Sequence, residues 1–391
     1  MQVKQCFVSA PGKSILHGEH AVVHGKVALA VSLNLRTYLR LLSTTSGEVT
    51  INLPNIDTFL TWDVTELQPL LSDLTGEDDS VDNDLDLNLV KKLREFTGIA
   101  EGSTDTRSMA VLAFLYIYLS VFSDADVLPS LSVCVWSELP TGAGLGSSAA
   151  FSVCLSAALL SAGEQISTPL SSQQWTDAEL ELINKWSLCV CVCVCVFSPG
   201  NCCNLVPRVP TLRILLSNTK VPRSTKVLVS GVKDKINKYP SIITPVLESV
   251  DAVSKTCEQT LAAMATDGTS AKHYSILEDL IDINQHHLNV MGVGHPSLDT
   301  LCRVTLAHGL HSKLTGAGGG GCGITLLRPG NVTYCLPKAR QSLFICIAPL
   351  KHKTHSVCFT NEKIQREDKL KYIKSSSFYC QYCICTGHTE N

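Results

Sequence analysis

The sequence predicts an α+β protein, and three observations predict it. An apolar strand pattern at 131–136 runs into a glycine-rich turn and then an Ala-, Ser- and Leu-rich helix pattern at 147–160. Past Ser224 the pattern is helical, over 225–238, 242–264 and 275–290, and it ends near an apolar strand at 323–328. At 391 residues the chain can hold two domains with full cores.

The elements follow in order. Val8-Ser9-Ala10 reads as a short strand that Pro11-Gly12 breaks, leaving Lys13 on a turn where its point charge can reach a phosphate. Glu19 and His20 add polar groups between Gly18 and Gly25. The longest apolar run, 109–122, is too short to span a bilayer and carries tyrosines and a serine, so it reads as a buried helix. In the strand at 131–136, Val133 and Val135 share one face. Gly142, Gly144 and Gly146 then let the backbone turn tightly and approach a ligand closely. Amides at the start of the following helix point at an anion, which the helix dipole also favours. Ser147 and Ser148 can cap that helix, and either hydroxyl can face a metal ion. Thr176 and Glu179 form a capping box that starts another helix. A buried strand is expected at 213–217, with a turn at 218–223. Finally, six glycines fall in the eight positions 316–323, directly before the strand-like 324–327. A flexible linker would not lead at once into an apolar strand, so this loop reads as one that closely approaches a ligand or another loop.

Together, the motifs at 11–25, 138–150 and 313–323 resemble the GHMP family of small-molecule kinases. Gly18-Glu19-His20-Ala21-Val22-Val23-His24-Gly25, Leu53-Pro54-Asn55-Ile56, Trp136-Ser137-Glu138-Leu139-Pro140, Asn284-Gln285-His286-His287-Leu288 and Leu310-His311-Ser312-Lys313-Leu314-Thr315 are similar to its mevalonate kinase branch. The resemblance covers most of 6–187 and 210–330. It implies two α+β lobes with the active site in the cleft between them. It implies transfer of the γ-phosphoryl group of ATP to mevalonate in isoprenoid and sterol biosynthesis, with Mg2+ accompanying the nucleotide. It places the catalytic lysine on Lys13 and the ATP site on Lys13, Asn55, Ser137, Gly142, Ala143, Gly144, Leu145, Gly146, Ser147 and Ser148. Ser148 becomes the metal-binding serine, and Glu19 and His20 line the mevalonate side. Gly318, Gly319 and Gly320 support the phosphate loop from the second domain. A homodimer is compatible with the family. The implied domains are a nucleotide-binding unit at 1–215 and a second unit at 216–330.

Two segments depart from the pattern. The resemblance implies a glutamate ligand for magnesium in the helix beyond Trp186, followed by a loop carrying a catalytic aspartate. No Asp or Glu occurs from Leu182 through Lys233. Instead, 189–196 alternates Cys and Val, as in-frame translation of a TG dinucleotide repeat would. The segment 188–209 therefore reads as translated non-coding sequence. A strand with cysteine on one face, or a thiolate cluster, are the other readings. The tail at 331–391 shows neither sustained periodicity nor family likeness and is expected to be disordered. The expected consequence is impaired activity. The other functional readings are a non-catalytic nucleotide-binding protein and a kinase for another substrate such as phosphomevalonate.

Composition narrows the setting. A net charge of −3 without a basic block argues against nucleic acid. Of 18 cysteines, six lie in 189–203 and six in 335–385; the remaining six are scattered, as expected of free thiols in a reducing, cytoplasmic compartment. No signal-peptide or membrane-spanning pattern is seen.

Overall fold

The computed structural model describes residues 5–71, 86–103, 105–167, 175–194, 202–205, 212–329, 345–349 and 382–386. The chain runs through β1 (Gln5–His17), β2 (Ala28–Ser43), β3 (Glu48–Leu53), β4 (Thr58–Asp63), α1 (Val64–Leu67), α2 (Leu87–Thr97), α3 (Thr106–Val121), β5 (Leu131–Ser137), α4 (Ser147–Ala162) and α5 (Asp177–Val194). It continues through β6 (Cys202–Leu205), β7 (Arg213–Asn218), α6 (Thr225–Lys238), α7 (Pro240–Thr266), α8 (Ala271–Met291), α9 (Pro296–Leu306), β8 (Ser312–Leu314), β9 (Cys322–Leu327), β10 (Ile345–Pro349) and β11 (Tyr382–Thr386). The mixture is α+β, as the sequence predicts.

Two sheets organise these elements. The larger has the order β4-β3-β5-β2-β11-β6, with β1 also paired to β2. Among the described residues, only the β3–β5 contact in it is parallel. The smaller sheet has the order β10-β7-β9-β8. The domain boundary expected at 215/216 falls within Arg213–Asn218, and this strand pairs along its length with β9 of the smaller sheet.

In β5, Leu131, Val133 and Val135 alternate inward, as period-two patterning requires. They join the core that also contains α3 and α4, whose apolar surfaces are buried almost all round. The α5 capping box forms as expected. The Thr176 amide donates to Glu179 Oε2 at 2.7 Å, and the Glu179 amide donates to Thr176 Oγ1 at 3.3 Å. One large core joins β1–β5 and α2–α5 to α7, α8, β7 and β9. A second joins Ala21 to Val232, Ile243, Leu247, Val250, Leu288, Met291 and Leu314.

Three expectations are corrected. Pro11-Gly12 does not end the first strand. β1 runs from Gln5 to His17 and absorbs the break as a register shift between Pro11 and Lys13. Lys13 therefore sits on a strand. The stretch 188–194 is not a strand: the helix begun at Asp177 carries its backbone through to Val194. A run already nucleated adds one hydrogen bond per residue, which outweighs the modest helix penalty of Val and Cys. Two pieces of the expected disordered tail are strands. β10 pairs with β7, and β11 lies between β2 and β6. The rest of 195–211 and of 330–391 lies outside the described residues, as does the thiolate reading of 189–196. Among the described cysteines, Cys6, Cys134, Cys154, Cys257, Cys302 and Cys322 are free thiols.

Candidate active site

β5 delivers the chain into the first glycine loop, and α4 takes it away. Gly144 and Gly146 stand at φ 79° and 74°, in the left-handed region where any other residue is strained. Gly146 is the N-cap of α4, and no side chain caps it. The expected capping by Ser147 and Ser148 therefore does not occur. They are the first two helical residues, and their amides lie among the unsatisfied donors of the first turn. A helix start with free amides is one that favours an anion.

β1 closes one side of this loop. The Lys13 amide donates to Leu145 O at 2.8 Å. A Cβ on Gly146 would lie 2.7 Å from Lys13 Cγ, so the lysine stem rests directly on the loop. Gly12 allows the approach, since a Cβ there would meet Leu145 O at 2.8 Å and a Leu139 methyl at 2.3 Å.

The third motif closes the other side. The Cys322 amide donates to Ala143 O at 3.2 Å, joining the two glycine loops backbone to backbone. A Cβ on Gly321 would meet Ala143 O at 3.0 Å, and one on Gly316 would meet Gly144 O at 3.3 Å. The close approach expected of Gly318, Gly319 and Gly320 thus falls on Gly316 and Gly321. The three expected residues pack behind the loop, against Val293, Leu228 and Val221.

Between the loops lies Arg223, which the sequence reading left in an ordinary turn. Its Nη1 donates to Gly318 O at 3.1 Å and to Thr315 O at 3.4 Å. Its Nη2 would be 1.5 Å from a Cβ on Gly144. Burial pulls its pKa below the usual guanidinium value. The signal available in the sequence was an arginine just before the Ser224 N-cap of α6, too common a pattern to single out. Contact with two glycine loops depends on tertiary structure.

Glu19 and His20 behave differently from expectation. Glu19 is fully buried and bonded to Lys313 Nζ, which is also fully buried. Its other oxygen accepts from Asn284 Nδ2 at 3.0 Å. Burial pushes the Glu19 carboxyl up and the Lys313 ammonium down, and their mutual attraction opposes both shifts. The Glu19 carboxylate is therefore spent inside the protein rather than lining a substrate surface. His20, at φ 60°, puts Nε2 2.9 Å from Ala317 O. Burial lowers its pKa first of all, which keeps the ring neutral at pH 7.

Asn55 and Ser137 hold each other. Asn55 Nδ2 donates to Ser137 O at 2.9 Å, and the Ser137 amide donates to Asn55 Oδ1 at 2.7 Å. Ser137 Oγ accepts from the Leu139 amide at 3.1 Å. These bonds fix the exit of β5 just ahead of the loop.

The donor set suits a polyphosphate. The first turn of α4, the Lys13 stem and the Arg223 guanidinium all border the first glycine loop. For a divalent cation this chain offers the Ser148 hydroxyl. Among the described residues no group of three or more His, Cys, Asp or Glu could hold a metal ion. Nor is any described helix long and apolar enough to cross a membrane.

Comparisons with known proteins agree with this architecture. The GHMP kinases N terminal domain matches residues 109–185, and the GHMP kinases C terminal family matches residues 265–334. The chain is 56% identical over 360 residues to the mevalonate kinase of Bos taurus, covering 87% of this chain and 90% of that protein. It is 50% identical to the Homo sapiens mevalonate kinase over the same shares. Among solved structures, the Methanococcus jannaschii mevalonate kinase has a TM-score of 0.60 at 18% identity, covering 88% of this chain and 98% of that one. The L. major mevalonate kinase in complex with R-mevalonate has a TM-score of 0.59 at 16% identity, covering 87% and 94%. At the identities of the mammalian relatives over nearly their whole length, the chain belongs to the mevalonate kinase family of GHMP kinases.

Proposed function

We propose that this chain binds Mg-ATP between its two glycine loops and passes the γ-phosphoryl group to the primary hydroxyl of mevalonate, giving 5-phosphomevalonate for isoprenoid and sterol biosynthesis in the cytoplasm. The observation that carries the reading is the meeting of both loops around Arg223, with the Lys13 stem resting on the first of them. Phosphoryl transfer depends mostly on positioning and charge neutralisation, which these groups supply. The first turn of α4 holds phosphate oxygens. Lys13 stabilises charge developing on the transferred group and favours loss of the acceptor's proton. When bound, magnesium neutralises phosphate charge, with Ser148 its ligand on this chain. Two lobes would flank the site, with β7 belonging whole to the second, and a homodimer is compatible with the family.

Turnover is expected to be weak. No carboxylate between Leu182 and Lys233 can take the acceptor's proton or complete the metal's ligands, and a positioned general base contributes roughly 10²–10⁴-fold. Asp234 lies between Lys233 and Lys235 on α6, and Glu19 is already bonded within the core. The same observation favours a second reading, a nucleotide-binding protein without turnover. An ATP-dependent assay with mevalonate, phosphomevalonate and galactose separates these readings. It is run beside a version with an acidic segment restored after Trp186. Mevalonate-specific turnover that rises with restoration supports the proposal; turnover of another substrate alone sinks it. Transcript sequencing across codons 186–212 identifies the origin of the Cys-Val run.

A further inference from the structure

Thr315 is fully buried, and its hydroxyl does the work of a neighbouring strand. The Ile15 amide donates to Thr315 Oγ1 at 3.1 Å, and that hydroxyl donates to Ile15 O at 2.9 Å. Ser14 Oγ lies 3.0 Å from the same oxygen and is itself buried. The other edge of β1 faces β2, with Lys13 opposite Ser32 and Ile15 opposite Ala30. Residues two apart on a strand present their amides to the same edge. Lys13 and Ile15 therefore share the outer edge of β1. There the Lys13 amide bonds Leu145 of the first glycine loop, and Ile15 bonds Thr315 at the entrance to the third. One short edge thus registers both loops against each other, with Lys13 at the end that meets the first loop. Register shifts at Pro11/Lys13 and Ile15/His17 bound this stretch, in which Lys13, Ser14 and Ile15 pair in register with Ser32, Val31 and Ala30 of β2.

We propose that Thr315 is a positioning residue for Lys13, fixing the outer edge of β1 so that the lysine stem stays on Gly146 between the two glycine loops. Any hydroxyl at this place can serve, whereas an isosteric methyl cannot, because it leaves both polar groups of Ile15 without a partner. The inference rests on the reading of Lys13 as the phosphate-facing cation, and the test lets the two fail separately.

The test is competitive acylation of lysines in the full chain, read by peptide mass spectrometry, with the exposed Lys91 and Lys272 as internal references. In ligand-free Thr315→Val, the Lys13 rate relative to the references is expected to rise several-fold; in Thr315→Ser it should return to that of the unaltered chain. An unchanged Lys13 ratio in folded Thr315→Val overturns the proposal, and so does a raised ratio in Thr315→Ser. Amide exchange on the unaltered chain gives a second measurement independent of how the variants fold. Ile15 should be protected as well as Lys13, and fast exchange at Ile15 overturns the proposal. Protection of Lys13 by Mg-ATP tests the underlying reading alone: its absence removes Lys13 from the phosphate site without touching the geometry of the edge.

Discussion

Lys313 reaches from β8 to the carboxylate of Glu19, and neither side chain is exposed to solvent. Breaking a buried pair from one side leaves the other charge unpaired, at a cost of about 3–5 kcal/mol, while replacing both can be nearly neutral. Lys313→Met is therefore expected to destabilise the protein strongly, and adding Glu19→Gln should recover much of the loss. Urea denaturation of both single variants and the double variant checks this. Equal, additive losses would show that the two side chains act independently.

Arg223 lies over Gly144 and donates to the carbonyl oxygens of Thr315 and Gly318. A charge-assisted bond to phosphate contributes about 1.5–3 kcal/mol, or roughly ten- to a hundredfold in affinity. Arg223→Ala should weaken Mg-ATP binding by that order, measured by calorimetry. Arg223→Lys should recover only part, because a lysine lacks the planar fork.

Gly144→Ala combines two faults. Its Cβ would fall 1.5 Å from Arg223 Nη2, and its φ of 79° strains any L side chain. The conformational cost alone is about 1–2 kcal/mol. Mg-ATP affinity should fall at least as far as in Arg223→Ala, while Gly142→Ala, which meets no atom within 4 Å, should lose less. Equal losses would show that strain, not the guanidinium, sets the effect.

Stability should fall on mild acidification. Burial holds the pKa of His17 well below its ordinary value, with Lys313 adding to the shift, and it lowers that of His20. An unfolded histidine titrates near about 6.5. Below that the unfolded chain binds protons that the folded chain refuses. The contribution is complete above the unfolded value and is lost as pH falls towards the folded one. Melting temperature should drop between about pH 7.5 and 5.5, and His17→Asn should flatten the slope. A flat profile in the unaltered chain would contradict this.

The helices were legible because their signals are local. The Thr176–Glu179 capping box, the apolar run of α3 and the periodic stretches of α6, α7 and α8 appear where patterning puts them. The first glycine loop was legible because strand, turn and helix are adjacent in sequence. β1 was misread because a proline and a glycine normally punctuate a strand, and only its pairing with β2 shows the break as a bulge. Arg223, Thr315 and the burial of Glu19 were not legible, since each depends on partners far along the chain. Family likeness pointed to Glu19 as a residue of note, but only the fold shows that Lys313 occupies its carboxylate.

Ala21 belongs to the core built by α6, α7, α8 and β8, which has a consequence for synthesis. The stretch around it leaves the ribosome well before the surfaces that cover it, which lie between Val232 and Leu314. Glu19 and Lys313 are separated by 294 positions, which at roughly 5–20 residues per second is about 15–60 s of translation. Throughout that interval Glu19 lacks its counter-charge, although β1 can already pair with β2. A message ending before codon 313 never supplies that counter-charge, so the later part of the chain sets how long this acid stays exposed to solvent and proteases.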